Sequence, residues 1–333
     1  MSAVVIKAGL LDTIQDEGRF GFQHFGINTN GSMDLVAARV ANILVGNARS
    51  DAVIELHFPA AFFMFEKNCL IALSGGDFHP VINDEPAPLN TAMIVAENSV
   101  LKFTRYVKGC RCYFAVAGGW DAALWLNSYS TNARVSAGGY YGRALKKEDV
   151  IKTKNSTFIP VAVGQRPKSL PVNADVSNFY TRSKKIRCVT GCEYDYLNDN
   201  SKNTLESAPF KITSLSDRMG YRLQGEVLRS ITDQQLLSSA VTRGTVQLLP
   251  SGQLIILMAD HQTTGGYPNI AHVIAADLPS LAQMQPNEEL EFEMVTHADA
   301  EEIFMQQQEH LQQIEDSGKL QLAQYFGNDF DRP

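Results

Sequence analysis

Four stretches of this chain combine carboxylates, hydroxyls and glycines, three of them with guanidinium groups as well, in the midst of core-forming sequence. ADHQTTGGYPN (259–269) interrupts the apolar runs LIILMA and IAHVIAA, where a simple turn needs only two to five residues. Asp260 stands where a strand hands its last side chain to a loop, which suits a general base or a group that orients a reacting water. Thr263, Thr264 and Tyr267 add hydroxyls, and Gly265-Gly266 can turn consecutive N–H groups toward an anion as a backbone nest. In SDRMGYRLQG (216–225), Asp217, Arg218, Tyr221 and Arg222 surround a glycine. An arginine there can fork onto a carboxylate or phosphate, and Arg222 is the first choice. DTIQDEGRFGFQHFGINTNGSMD (12–34) gathers Gln15, Asp16, Arg19, Ser32 and Asp34 ahead of a helix. GWDAALWLNSYSTNARVSAGGYYGR (119–143) sets Ser130 and Thr131 before a glycine-rich turn. Behind Asp260 as base come Glu55 and Asp16.

Each stretch also has a plain structural reading. The first loop can be an Ω-loop held by an Asp16–Arg19 pair, and the hydroxyls of 119–143 can be surface groups. Asp217 can brace Arg218 or Arg222, and the 260s can be a deep loop with satisfied threonines. His261 alone reads as a hydrogen-bonded loop residue. No histidine falls in a metal-ligand spacing, and no metal site is expected. The chain has no GxxxxGK[ST], HExxH or GxSxG.

The elements that must hold these groups are mostly strands. VIELHF (53–58), NSVLKFTRY (98–106), RCYFAVAGG (111–119), KIRCVTG (185–191), TVQLLPSG (245–252) and ELEFEMV (289–295) suit strands bounded by turn residues. Period two sets Ile54, Leu56 and Phe58 opposite Glu55 and His57. Frequent turns argue for barrels or sandwiches over βαβ units. Three helices are expected: 33–47 with Asp34 at its start, 276–284 capped by Asp277, and 296–318 stopped at Gly318. Residues after 318 read as a loosely docked tail. A proline-rich stretch at 160–178 marks a boundary between two lobes.

The 333 residues suit two domains, and 44% hydrophobic with 20% charged residues supports a large core. A net charge of −7 disfavours nucleic acid. No apolar run approaches the ~18 residues of a membrane span, and no secretion signal is evident. The five cysteines read as reduced packing residues of a cytoplasmic protein.

Three motifs in order make the chain resemble the family of bacterial 5-oxoprolinase C subunits, biotin-dependent carboxyltransferases, allophanate hydrolase subunit 2 and the KipA-type antagonists of a kinase inhibitor. They are TIQDEGRFGFQHFGINTNGSMD (13–34), SDRMGYRLQG (216–225) and DHQTTGGYPNIAHVI (260–274), supported by ANILVGN (41–47). Asn28 stands where the family pattern has proline, NSYST (127–131) departs at two places, and Glu148 replaces a glycine. The resemblance implies a mainly β fold of two cyclophilin-like β-barrel lobes, at 1–165 and 178–297, with a helical extension at 298–333. It implies partner B and A subunits of 5-oxoprolinase and opening of the lactam of 5-oxo-L-proline to L-glutamate, with ATP and Mg bound together with a partner. The alternatives are a carboxyltransferase acting on carboxybiotin and a urea-like amide, with biotin carried elsewhere because no Met-Lys-Met occurs, and a non-catalytic antagonist of a KipI-like partner.

Overall fold

A computed structural model describes residues 1–155, 166–180, 183–232 and 236–327. The fold is mainly β, as the turn-rich alternation suggests, with helices α1 (Leu35–Leu44), α2 (Asp199–Ser207), α3 (Leu278–Gln283) and α4 (His297–Phe326). The chain divides into two compact units, neither of them continuous in sequence. The first is Met1–Gly18, Asp34–Val176 and Glu309–Pro333; the second is Arg19–Met33 and Ser177–Gln308. The break at 176/177 falls in the expected proline-rich stretch, of which 160–165 lie outside the described residues. Two assignments differ from the sequence expectation. Residues 19–33 group with the second unit, and the 298–333 segment is shared between both units.

The first unit holds two six-stranded sheets. One is ordered Val150–Lys152, Ser2–Lys7, Phe62–Phe65, Val100–Phe103, Pro80–Ile82, Glu85–Pro86. The other is ordered Lys168–Asn173, Thr91–Val95, Cys69–Asp77, Lys108–Val116, Val53–Leu56, Thr13–Gln15. Alternate residues of both supply one core, in which Phe114 meets Phe63 at 5.3 Å and Trp120 at 5.1 Å in edge-on contacts. Helix α1 packs against the Cys69–Asp77 and Lys108–Val116 strands. Asp34 starts this helix as expected, accepting the Ala37 N–H at 2.9 Å. With both faces covered, all of Val53–Leu56 is buried, including Glu55, which alternation alone would have placed on an open face.

The second unit is a closed seven-stranded barrel. Its order is Lys185–Thr190, Asn269–Val273, Thr245–Leu248, Leu254–Leu257, Gly220–Gln224, Phe210–Ile212 and Glu289–Met294, closed by a parallel pairing back to Lys185–Thr190. Inward residues such as Tyr221, Val246, Ile256, Ala271 and Phe292 form its core, joined by fully buried Met33 from the 19–33 segment. Burial of that side chain contributes about 2 kcal/mol.

The helices bring four corrections. Asp277 does not cap α3. Its carboxylate instead takes Arg187 Nη2 at 2.5 Å, Nε at 3.1 Å and the Arg187 backbone N–H at 2.7 Å. Gly318 does not stop α4, which runs on to Phe326, so most of the expected tail is helix and residues 328–333 lie outside the described ones. A Cβ on Gly318 would stand 3.3 Å from the Ile43 side chain, so the glycine serves close approach to α1. Arg49 of the α1–Val53 connection holds this part of α4 through Gln312 at 2.7 Å and an ion pair to Glu315. Helix α2 carries no apolar stripe that would announce it, because DNSKNTLES buries only Ser201 and Leu205. Of the five free cysteines, Cys192 is exposed and Cys110 half-buried, so packing explains only Cys69, Cys112 and Cys188. No described helix is long and apolar enough to cross a membrane.

Candidate functional site

The second unit joins two of the polar stretches to part of a third. After the Leu254–Leu257 strand the chain keeps a ladder with the turn before Gly220: Met258 N–H reaches Met219 O at 2.9 Å, and Asp260 N–H reaches Arg218 O at 2.8 Å. This places the Arg218 guanidinium against the Asp260 carboxylate, Nε to Oδ2 and Nη2 to Oδ1, both at 2.9 Å. Asn30 Nδ2 donates to Asp260 Oδ1 at 2.8 Å, and Arg218 Nη2 also donates to Gly31 O at 2.7 Å. Buried Arg19 closes the set by donating to Asn30 Oδ1 at 2.9 Å. Asn28, the departure from the family pattern, donates its amide to Asp260 O at 3.1 Å.

This geometry revises several roles. Arg218, and not Arg222, is the forking arginine, and its target is Asp260. Arg222 projects exposed from the outer face of the barrel, while Tyr221 points into its core. Asp217 braces neither arginine; its Oδ1 accepts the N–H groups of Met219 at 2.8 Å and Gly220 at 3.3 Å and forms the turn. Asp260 accepts three donors on its carboxylate oxygens, two from Arg218 and one from Asn30.

The Gly265-Gly266 nest does not form. Thr264–Gly265 pairs with Ser239–Ala240 as a two-stranded ribbon, with Thr263 O accepting the Val241 N–H at 3.1 Å. Neither glycine has the positive φ that alternates with αR backbone in a nest. A Cβ on Gly265 would lie 2.6 Å from Gln247 Nε2, so a side chain there would displace that amide. Thr263 is half-buried, whereas Thr264, Gly266 and Tyr267 are exposed.

Three residues without an assigned role in the sequence pattern belong here. Arg243 donates Nη1 to Ser32 O at 3.0 Å and Nη2 to Met33 O, so backbone, not the Ser32 hydroxyl, is what it holds. Ser32 itself is buried, with an Oγ that has no hydrogen-bond partner among the described residues. His261 is buried, and burial together with the nearby Arg243 charge holds its imidazole below the usual histidine range. His272 is lowered by burial and by His261, and its Nδ1 lies 3.3 Å from Thr245 Oγ1. The only sequence signal for the two histidines is their place inside a motif; Arg243 has none.

In the first unit Asp16 is a hub. Its Oδ1 accepts Gly18 N at 2.9 Å, Ser128 Oγ at 2.7 Å and Ser130 Oγ at 2.5 Å, and its Oδ2 accepts Tyr129 N at 2.6 Å. These bonds stand in place of the Asp16–Arg19 pair of the Ω-loop reading. Gln15 Nε2 donates to Thr13 Oγ1 at 3.0 Å, and Thr131 Oγ1 donates to Ile14 O at 2.9 Å, so both tie the same strand end. Glu55 is fully buried and accepts Tyr113 Oη at 2.7 Å, while Tyr113 accepts the Asp34 N–H at 2.7 Å. His57 Nε2 and Arg111 Nε each lie 3.9 Å from Glu55 Oε1. Asp12 accepts the His57 and Ala61 N–H groups, and burial pushes its carboxyl up to about 7.

The family model for the carboxyltransferase domain, subdomain A and B, matches residues 25–294. The C subunit of 5-oxoprolinase from Haemophilus influenzae is 37% identical over 302 residues, covering 91% of this chain and 94% of that protein. The protein of the same name from Escherichia coli is 34% identical over 310 residues, covering 93% and 96%. A urea amidolyase from Lachancea kluyveri is 29% identical over 332 residues, but the match covers only 18% of that larger protein. Among solved structures, the K. lactis urea amidolyase superposes with a TM-score of 0.84 at 23% identity, over 94% of this chain and 20% of that one, a likeness of fold.

Proposed function

Since this chain belongs to the carboxyltransferase-domain family, we propose that it is the C subunit of an ATP-dependent 5-oxoprolinase, acting with B and A subunits to open the lactam of 5-oxo-L-proline to L-glutamate in the cytoplasm. The observation that carries this reading is end-to-end similarity: the match spans 91% of this chain and 94% of the Haemophilus influenzae protein. Against the Lachancea kluyveri urea amidolyase the same length covers only a small part of a larger protein. That relationship keeps carboxyl transfer from carboxybiotin to a urea-like amide as the second reading.

A lactam is a weak electrophile, and ATP supplies its activation by phosphorylating the lactam oxygen. The residues expected to cradle phosphate do not fit that task, because Thr264 and Gly265 form a ribbon and no nest. In this proposal ATP and Mg are therefore held by the partner proteins. The present chain contributes a loop fixed by the Arg218–Asp260 pair, with Arg243 as a further, half-buried cation beside it. Fixed cations of this kind stabilise charge that develops on an oxygen without reorganising.

The test is glutamate formation and ATP hydrolysis with 5-oxoproline, using the chain with the B and A partners and with each omitted. Turnover only in the complete mixture is expected. Inactivity of the complete mixture, or full turnover by this chain alone, overturns the proposal; carboxylation of a urea-like amide with carboxybiotin would establish the second reading.

A further inference from the structure

Asp260 is engaged by Arg218 and Asn30, and we infer that its neighbour His261 presents a bare Nε2 as the proton acceptor of the second unit's polar assembly. The geometry fixes the tautomer. His261 Nδ1 lies 2.5 Å from Gln262 O. A carbonyl oxygen only accepts, so the proton sits on Nδ1 and the lone pair on Nε2. Nε2 bonds to no described residue and is not sealed from solvent.

The charged and titratable groups around the ring are Arg243, Asp260 and His272. Burial and Arg243 keep the imidazole neutral near pH 7; Asp260 opposes them, but its charge is already matched by Arg218. His272 shares Thr245 Oγ1, which lies 3.3 Å from its Nδ1 and also accepts the Thr242 N–H at 3.3 Å. A neutral imidazole with a bare nitrogen can take the proton that an adding water releases.

The substrate class rests on the function proposed above. Water adds to the carbon of the phosphorylated lactam: its lone pair forms the C–O bond, the C=N π pair moves onto the ring nitrogen, and the water proton passes to His261 Nε2, which returns it to that nitrogen. The C–N bond then breaks with its electron pair on nitrogen, which takes the new hydroxyl's proton as the C=O bond forms. The acyl phosphate so released gives the carboxylic acid and inorganic phosphate when a second water displaces the phosphate, and the other product is the amine.

The test uses the full chain labelled with 15N-histidine, with His261 assigned through His261→Asn. A proton on Nδ1, a bare Nε2 at pH 7 and a titration midpoint below 6.5 are expected. Asparagine keeps a donor for Gln262 O and removes Nε2. In the assembled complex His261→Asn should therefore lower turnover roughly a hundredfold or more, with partial rescue by added imidazole and an unchanged melting temperature. Wild-type turnover in that variant, or a ring protonated on Nε2, overturns the inference. If the wild-type complex does not open 5-oxoproline, the function proposal fails by itself. The tautomer and carbethoxylation of Nε2 by diethyl pyrocarbonate in the chain alone still decide the role of His261, and a ring that resists the reagent counts against it.

Discussion

Arg218 and Asp260 meet side-on, two parallel N–H···O contacts of 2.9 Å joining a guanidinium and a carboxylate that are both largely withdrawn from water. The same guanidinium reaches Gly31 O and the same carboxylate accepts Asn30, so the pair anchors the 28–33 segment as well as itself.

Removing one member of a largely buried pair leaves the other uncompensated. Asp260→Asn and Arg218→Lys are expected to lower unfolding free energy by about 2–4 kcal/mol in denaturant titrations. Arg222→Lys, on an exposed face, should stay within about 0.5 kcal/mol of wild type. Equal effects at the two arginines would contradict the geometry.

Asp16 offers a second test. Its carboxylate accepts four donors and joins residues more than a hundred positions apart. Asp16→Asn turns one acceptor into a donor facing donors, and a loss of about 3 kcal/mol is expected. Proteolysis within 127–131 should also accelerate; protection equal to wild type would show that other contacts hold this loop.

For Asp12 the pH dependence runs opposite to that of a salt-bridged carboxylate. Its folded pKa, raised by burial to about 7, stands above the unfolded value of about 3.9. Between these values the folded chain binds a proton that the unfolded chain lacks. The group's stabilising contribution is therefore full below about pH 4 and lost as pH rises through 7. Between pH 5 and 7 it amounts to about 2–3 kcal/mol. The fall in stability over this window should be visibly smaller in Asp12→Asn, and parallel curves would mean that Asp12 is already charged in the folded protein.

Gly318 separates helix propensity from packing. Alanine gains about 1 kcal/mol of propensity but sets a Cβ 3.3 Å from Ile43, so Gly318→Ala should be nearly neutral. Gly318→Leu cannot be seated without moving α1 and should lower the melting temperature by several degrees. A stabilised leucine variant would show that this part of α4 is not held against α1.

Much of this is written locally. Alternation in GYRLQ puts Tyr221 and Leu223 on one face and Arg222 on the other, so the outward course of Arg222 is legible. The fate of Arg218 is not, since it lies in the turn before the strand and its partner is forty-two residues away. The TTGG segment suggests an anion nest because its ribbon partner, Ser239–Ala240, carries no pairing signal of its own. Gly318 reads as a stop because glycine commonly ends helices, and only the tertiary contact with Ile43 gives its other meaning. Asn28 departs from the family pattern, and its bond to Asp260 O shows what the added amide does.

The interleaved segments have a consequence for synthesis on the ribosome. Residues 19–33 emerge well before the strands of the barrel to which they belong, and they must wait for Arg218, Arg243 and Asp260 to be made. Such distant pairing delays the second unit's completion until nearly the whole chain has been translated. A fragment beginning at Ser177 would carry every barrel strand yet lack Met33 in its core and the carbonyls that its two arginines grip. A productive dissection would graft 19–33 onto the head of that fragment, because cutting the gene between the units cannot release either one intact.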